Sequence, residues 1–188
     1  GYIHYQKGSV ALYYLKDMIG EEKVNRALKK VADKFAYAQP PYPTSYDLVD
    51  ALREETPAEL QYLIKDLFED ITLFSNRTHA ATYTKNAAGK FDVTIEIETE
   101  KLKADEKGNE QTVPLDDWIE IGALAKPPEG KKYGKTLHRE RVKMKPGKQT
   151  FRFTVDEAPD TAGVDPFALL VDRIPNDNMK KVKAAGSA

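Results

Sequence analysis

The sequence predicts an α + β chain in two parts, a short helical segment followed by an antiparallel β-sandwich. Before residue 75, apolar residues recur at steps of three and four, as they do on one face of a helix. After Asn76 they alternate with polar residues, as on strands that are buried on one face. The alternating stretches are short and separated by turn residues, and that arrangement favours a sandwich.

Four helices are predicted between residues 6 and 70. Gly20 ends the first apolar face, and the prolines at residues 40–43 end the second. Thr44 or Ser45 caps the third helix. Residues 56–59 predict the start of the fourth, because they place a cap residue, a Pro at the first helical position and a Glu three residues after the cap. The four apolar faces are Ala11, Leu12, Leu15, Met18 and Ile19; Val24, Ala27, Leu28, Val31 and Phe35; Leu48, Val49 and Leu52; and Leu60, Leu63, Ile64, Leu67 and Phe68.

Alternation predicts the strands of the second part, which we expect to form a sandwich of the immunoglobulin-like type. The strands are predicted at residues 91–98, 118–123, 138–144, 151–155 and 168–172, with a Pro-Gly turn at residues 146–147. The domain boundaries that follow are residues 1–75 for the helical segment, 76–182 for the β-sandwich and 183–188 for a disordered tail.

The composition excludes several classes of protein. The chain has 188 residues, 29 basic and 30 acidic side chains mixed along its length, and a net charge of -1, so no electrostatic footprint for nucleic acid is present. It has no apolar run long enough to span a bilayer and no signal peptide, which predicts a soluble fragment. The absence of Cys excludes disulfides, thiolate zinc sites and cysteine nucleophiles. The first residue is Gly rather than Met, which suggests a cut fragment.

The chain carries no complete catalytic motif. Its three histidines, His4, His79 and His138, are far apart in sequence, and no H-E-x-x-H zinc motif is present. The nucleophile-elbow, P-loop and dinucleotide-binding motifs are absent as well. We therefore interpret the histidines as ordinary surface or partly buried residues, although three scattered histidines can converge in space.

Three further polar motifs have an ordinary structural interpretation. Residues 76–78 match the glycosylation acceptor pattern, which we interpret as a chance match. Two acidic clusters, Asp116 with Asp117 and residues 176–178, have the ligands of a hard cation but not the ordered spacing of a calcium loop. Turn chemistry is the interpretation we favour for both clusters.

The stretch YIHYQKGSVALYYL at residues 2–15 is dense in tyrosine. Tyr13 and Tyr14 fall inside the first helical pattern, where packing is expected. Tyr2 and Tyr5 precede that helix, and Lys7 and Gly8 follow soon after Tyr5. A phenol at a helix entrance has two interpretations, plain packing and hydrogen-bond donation to a developing oxyanion. The second needs a metal-bound water held by other residues.

Residues 4–37 resemble the segment downstream of the zinc site in the aminopeptidase N family of zinc metallopeptidases, the gluzincins. In that family a Tyr, a polar residue and Lys-Gly precede an apolar helix, an Ile-Gly step and a second helix. This chain has Tyr5, Lys7-Gly8 and Ile19-Gly20 at the corresponding places. PTSYDLVDALREET, at residues 43–56, is similar to the family's next helix. The resemblance implies that residues 1–75 are the helical tail of a peptidase catalytic domain.

The later part of the chain resembles a bacterial subgroup of the same family. DWIEIGALAK and the closing AGVDPFALLVDRIPNDN, at residues 162–178, carry this resemblance. In that subgroup the peptidase is fused to, or encoded with, the membrane permease of an ABC-type transporter. The resemblance therefore implies a membrane-associated bacterial parent, with the permease and the upstream catalytic domain as partners.

The resemblance also implies roles for two residues. Tyr5 matches the tyrosine that donates a hydrogen bond to the tetrahedral intermediate of peptide hydrolysis, and Tyr2 occupies a place where some members have a second tyrosine. The zinc, its ligands and the segment that binds the peptide substrate are implied to lie upstream of Gly1. We therefore expect the fragment to bind no zinc and to be inactive by itself. Freed of its catalytic domain, it is expected to self-associate through apolar side chains such as Ile3, Tyr5 and Leu12.

Two alternatives without catalysis remain. The chain can be a binding module made of a helical adapter and a β-sandwich, or a degenerate peptidase that regulates a transporter. The sequence upstream of Gly1 separates these alternatives from the enzyme and from each other. An H-E-x-x-H motif roughly fifty to eighty residues before Tyr5 favours the enzyme, a permease with broken zinc ligands favours the regulator, and an unrelated domain favours the binding module.

Overall fold

The computed structural model describes residues 8–37 and 39–186. These residues divide into two compact units, and the boundary along the chain lies between Thr72 and Leu73. The first unit is helical, and the second consists mainly of strands in two sheets. The coarse prediction of an α + β chain is therefore confirmed. No helix in these ranges is long and apolar enough to cross a membrane.

The helical unit contains three regular helices and an irregular fourth segment. Its helices are α1 (Gly8–Ile19), α2 (Glu21–Phe35), α3 (Ser45–Glu55) and the single turn α4 (Tyr62–Ile64), which a 3₁₀ turn (Ala58–Leu60) precedes and a π turn (Lys65–Glu69) follows. The core contains Leu15, Ala27, Leu52 and Ile64, each 0% exposed, so all four helices contribute to it. Each of these residues was predicted on an apolar face.

Gly20 separates α1 from α2, as predicted. Its N–H donates to the Lys16 carbonyl over 2.9 Å, which closes the last turn of α1. Its φ of +94° is a left-handed value that glycine adopts without strain. Glu21 and Glu22 then begin α2, where acidic side chains interact favourably with the helix dipole.

The predicted cap of the fourth helix at Thr56 is wrong, although the helical segment begins at Ala58, within the predicted residues 56–59. The Thr56 hydroxyl donates to the Leu52 carbonyl over 2.8 Å, so it completes the end of α3 and leaves the next helix without a cap. A capping box forms instead at the start of α3, where the Thr44 N–H donates to Asp47 Oδ2 over 3.0 Å. The sequence pattern was real at both places, but at Thr56 a buried local hydrogen bond, to the carbonyl four residues earlier, takes up the hydroxyl.

Among the described residues of the second unit, nine strands form two sheets, and β1 extends two residues into the first unit. They are β1 (Ile71–Lys85), β2 (Phe91–Ala104), β3 (Glu110–Val113), β4 (Trp118–Leu124), β5 (Thr136–Lys143), β6 (Gly147–Val155), β7 (Thr161–Val164), β8 (Met179–Lys181) and β9 (Lys183–Ala184). Sheet A has the order β3-β2-β1-β9, and β6 also pairs with β2. Sheet B has the order β5-β4-β7-β8. β9 pairs with β1 in parallel, whereas β2 pairs with β6 and β4 with β5 in the antiparallel sense.

The alternation that predicted β2 and β4 is confirmed by their burial. On β2, Val93 and Ile95 are 1% and 0% exposed. On β4, Ile119 and Ile121 are each 1% exposed. Burying such side chains supplies roughly 1.5–3 kcal/mol each, so these two strands provide much of the unit's core.

The predicted strand at residues 168–172 is wrong. The Asp165 carboxylate accepts the Leu169 and Leu170 N–H groups over 2.9 and 3.1 Å, which commits this backbone to a local loop. Ala168 has a φ of +53°, outside the strand region. An isolated parallel bridge between Phe74 and Asp172 is the pairing recorded at the end of this stretch.

The prediction that residues 183–188 form a disordered tail is wrong for residues 183 and 184. Lys183 and Ala184 form β9, whose residues pair with Thr82 and Tyr83 of β1. The Ala185 N–H then donates to the Tyr83 carbonyl over 2.8 Å. The polar composition of the tail hid a backbone pairing that depends on the free edge of β1.

Gly163 of β7 lies where the two sheets approach each other closely. A Cβ atom at this position would lie 2.1 Å from the Asn178 carbonyl oxygen and 2.4 Å from Thr78 Oγ1. We therefore expect Gly163→Ala to lower the free energy of unfolding by about 1–3 kcal/mol, measured by urea denaturation. Ser75→Thr, which adds a methyl group at an exposed position of β1, is the control and should leave stability unchanged. Equal stability of the two variants would contradict the tight contact.

Candidate functional site

The two candidate catalytic residues, Tyr2 and Tyr5, lie outside the described residues, as does Ile3. Their roles therefore stay predictions. The described chain begins at Gly8, which is the first residue of α1 and lies three positions after Tyr5.

The tyrosines of α1 have different environments. Tyr14 is 6% exposed, which confirms the prediction that it packs in the core. Tyr13 is 55% exposed, so its predicted packing is wrong. The buried face of α1 includes residues 11, 14, 15 and 18, and position 13 points away from it. The Lys16 ammonium lies 4.8 Å from the centre of the exposed Tyr13 ring.

The histidines of the β unit do not assemble a metal centre. His79 Nε2 lies 2.7 Å from Glu98 Oε2, and His138 Nε2 lies 3.2 Å from Glu140 Oε2. The His138 ring also stacks on Phe153, with 4.0 Å between ring centres. Within residues 8–37 and 39–186, no three His, Asp or Glu side chains form a group able to hold a metal. The described residues thus do not fit a zinc site, which needs at least three protein ligands.

The acidic cluster at Asp116 and Asp117 is committed to lysines. Lys145 hydrogen-bonds Asp116 and lowers the pKa of that carboxyl below its usual value. Asp117 is buried and accepts a hydrogen bond from Lys101 Nζ over 2.7 Å. The lysine ammonium groups occupy the place that a hard cation would need.

A polar groove of about 420 Å³ opens on the outer face of sheet A. There the Glu100 carboxylate accepts a hydrogen bond from Thr112 Oγ1 over 2.6 Å, and Arg77 Nε donates to Asp177 over 2.8 Å. The sequence analysis did not identify this groove, because its residues come from four strands that only the pairing of the sheet brings together. The groove is lined by Ser75, Arg77, Glu98, Thr99, Glu100, Thr112, Pro146 and Gly147.

The closing motif at residues 162–178 contains a buried acid at its centre. Asp165 is 5% exposed, has a φ of +44° and donates its backbone N–H to the Glu120 carbonyl over 2.8 Å. Burial raises the pKa of Asp165 to about 6, and the carboxylates of Asp172 and Glu120 add to this, while the N–H groups of Leu169 and Leu170 oppose it. The Asp-Pro step was the sequence signal for this turn, since Asp before Pro favours turn initiation.

The neighbouring Glu120 is neutralised by two arginines. Its side chain is 8% exposed, and Arg139 Nε and Arg141 Nε lie 2.8 and 3.2 Å from its two carboxylate oxygens. These two ion pairs connect β5 to β4 through side chains, in addition to the backbone hydrogen bonds between the two antiparallel strands. Asp165, in contrast, depends on two backbone N–H groups to satisfy its carboxylate.

Comparison with known proteins identifies no family for this chain. No protein-family model matches it, and no curated protein is significantly similar to it.

Proposed function

We propose that this chain is part of a zinc aminopeptidase-like protein and joins the end of its catalytic domain to the β-sandwich that follows. The succession of α1, Gly20 and α2 carries the proposal. A helix over Gly8–Ile19, an Ile-Gly step at its end and a second helix from Glu21 correspond in order to the family segment that the sequence resembles.

The β unit supports the second half of the proposal, an immunoglobulin-like sandwich. Side chains join the two sheets at two places. His138 of sheet B stacks on Phe153 of sheet A, and Thr78 of sheet A donates to the Asn178 carbonyl, next to β8 of sheet B, over 2.6 Å. Two sheets with mainly antiparallel pairing and apolar inner faces are the elements of such a sandwich.

Tyr5 is the residue of this chain that would act on the substrate. Its phenol would donate a hydrogen bond to the oxyanion formed when a peptide bond is hydrolysed, and such donors stabilise a transition state by a few kcal/mol. The resemblance places the zinc ligands upstream of Gly1, and residues 8–37 and 39–186 contain no group of three potential ligands. A membrane permease is the partner that we propose for the parent.

Substitution of Tyr5 tests the catalytic proposal in a longer protein that contains this chain. Tyr5→Phe should lower kcat by a factor of about 100 or more without changing the zinc content, because it removes only the hydroxyl donor. Tyr13→Phe removes a hydroxyl from the exposed face of α1 and should leave kcat unchanged. Full turnover of Tyr5→Phe would refute the assignment.

The metal content of the 188-residue chain provides an independent test. Elemental analysis should find no stoichiometric zinc after dialysis. One tightly bound zinc per chain would show that residues of this chain form a metal centre, and the division of the active site proposed above would then be wrong.

The polar groove on sheet A favours a second candidate function, a binding or regulatory module of a membrane transporter. Its volume of about 420 Å³ and its mixture of Arg77, Glu98 and Glu100 suit a polar partner rather than an apolar one. If Tyr5→Phe has no effect on the parent, the effect of Glu100→Gln on transport becomes the test of this alternative.

A further inference from the structure

The inward face of β1 is unusually polar where a neighbouring segment runs beside it. Asn76 and Thr78 lie on this face and are 2% and 0% exposed. The segment at residues 171–178 runs alongside, since the Phe74 N–H donates to the Val171 carbonyl over 2.9 Å and Thr78 Oγ1 donates to the Asn178 carbonyl. Two anchors therefore hold the segment to β1, one on each side of Asn76.

The segment is longer than the part of β1 that it spans. Between the anchors β1 advances four residues, from Phe74 to Thr78, whereas the segment advances six, from Asp172 to Asn178. The additional length forms a 3₁₀ turn at Pro175–Asp177. At the midpoint a side chain replaces the backbone acceptor, because the Asn76 N–H donates to Asp172 Oδ2 over 2.9 Å. The segment backbone therefore stands away from β1 at Asn76.

Five buried polar atoms lie along this stretch without a hydrogen-bond partner among the described residues. They are the Oδ1 and Nδ2 atoms of Asn76, the Oδ1 and Nδ2 atoms of Asn178, and Oδ1 of Asp177. Asn178 is 1% exposed, so bulk water does not satisfy its amide. Buried polar groups nearly always have a partner, because leaving them without one costs the full desolvation of the group. Two complete carboxamides without partners in one short stretch indicate a ligand.

We propose that the stretch between β1 and residues 172–178 is a binding site for ordered water, which bridges the side chains of Asn76, Asp177 and Asn178. Each carboxamide presents both donors and acceptors, and water provides both in return. A hard cation would bind the three oxygen atoms and leave the two NH₂ groups unsatisfied. Arg77 Nε also lies 2.8 Å from the second oxygen of Asp177 and supplies the positive charge that this carboxylate needs. The site thus selects water over a divalent cation.

Magnetic relaxation dispersion of water deuterons tests the proposal on the 188-residue chain. The unmodified chain should show a contribution from long-lived internal water, and Asn76→Val should lose part of it, because valine removes both amide atoms from a buried strand position. Asn176→Val is the matched control: Asn176 is exposed in the same segment, and its replacement should leave the dispersion unchanged. Equal dispersion in the unmodified chain and folded Asn76→Val would overturn the proposal.

A crystal structure of the unmodified chain decides the question even if Asn76→Val fails to fold. Density for water within hydrogen-bonding distance of the Asn76 and Asn178 amides is the expected result. Direct hydrogen bonds from both amides to protein groups would overturn it. A cation with oxygen ligands at about 2.3–2.6 Å would overturn it too. The Tm of the chain should be the same in calcium chloride and in EDTA. A Tm that rises in calcium chloride and falls again when EDTA is added would contradict the assignment to water.

Discussion

Lys101→Met is expected to lower the free energy of unfolding by about 3–5 kcal/mol, because it removes a positively charged partner from a buried carboxylate. The side chains of Lys101 and Asp117 are 6% and 10% exposed, and their charged atoms lie 2.7 Å apart. The Lys101 ammonium also lies 5.9 Å from the centre of the Phe74 ring. Methionine fills a similar volume, so the cost reports mainly the lost charge and hydrogen bond rather than a cavity.

Urea denaturation of Lys101→Met and two further variants measures this cost. Lys90→Met is the matched control, since Lys90 pairs with Asp156 over 2.9 Å but both side chains are more than half exposed. Its stability should change little, because solvent screens an exposed ion pair. The double variant Lys101→Met with Asp117→Leu should recover much of the loss, because it removes both charges. A loss below about 1 kcal/mol for Lys101→Met alone would show that water reaches the pair.

Lys101 also shows how far periodicity can predict this fold. The alternation of β2 was predicted from Phe91 to Ile97, and the same parity continues through Thr99 and Lys101, which are 0% and 5% exposed. The sequence alone does not show whether a polar side chain in this register is buried or exposed. Lys101 is buried together with its partner Asp117, which lies sixteen residues further along the chain. Periodicity therefore predicted the direction of the strand, whereas its length and its ion pair required the tertiary structure.

The closing motif at residues 162–178 illustrates a second limit of prediction from periodicity. Its apolar run at residues 168–172 has the composition of a buried strand, but the Asp165 carboxylate takes the Leu169 and Leu170 N–H groups and excludes them from a ladder. β1 was missed for a different reason, since its inward face carries Thr72, Asn76 and Thr78 where a strand pattern expects apolar residues. In the first case a side chain that hydrogen-bonds the backbone determined the local structure, and in the second the burial of polar residues obscured the strand pattern.

The prediction for Tyr5, the catalytic candidate, rests on a different kind of observation from the predictions of helices and strands. Tyr5 was selected by a resemblance, since spacing alone favoured plain packing over chemistry. The described residues define the two helices that follow it but contain no group of three potential ligands for a metal. The role of Tyr5 therefore stays a prediction, and so does the placement of the zinc ligands upstream of Gly1.

Asp165 should make the stability of the chain depend on pH in the direction opposite to an ordinary paired carboxylate. Burial raises its pKa from 3.8 to about 6, so the folded chain holds this proton more tightly than the unfolded chain. The resulting stabilisation is complete below pH 3.8 and is lost as the pH rises through 6. Over the whole range it amounts to roughly 3 kcal/mol, and between about pH 5 and 7.5 to roughly 1 kcal/mol.

Asp165→Asn isolates this contribution, because asparagine does not titrate and tolerates the left-handed φ of this position. The free energy of unfolding should be measured by urea at pH 5 and pH 7.5 for both chains. The stability of the unmodified chain minus that of the variant should be larger at pH 5, since the other carboxylates, Glu120 and Asp172 included, are common to both.

Asp105→Asn should give a pH dependence of the opposite sign. Hydrogen bonds from Asn109 lower the pKa of Asp105 at an exposed turn, so its contribution is present above its unfolded pKa and is lost as the pH falls. Between pH 5 and pH 7.5 the Asp105 contribution should stay nearly constant, because the pKa of Asp105 is lowered from 3.8 and its titration lies below this range, whereas the Asp165 contribution should fall. If Asp165→Asn behaves like Asp105→Asn, the Asp165 carboxylate is hydrated in the folded chain, and the loop at residues 165–170 is open to solvent.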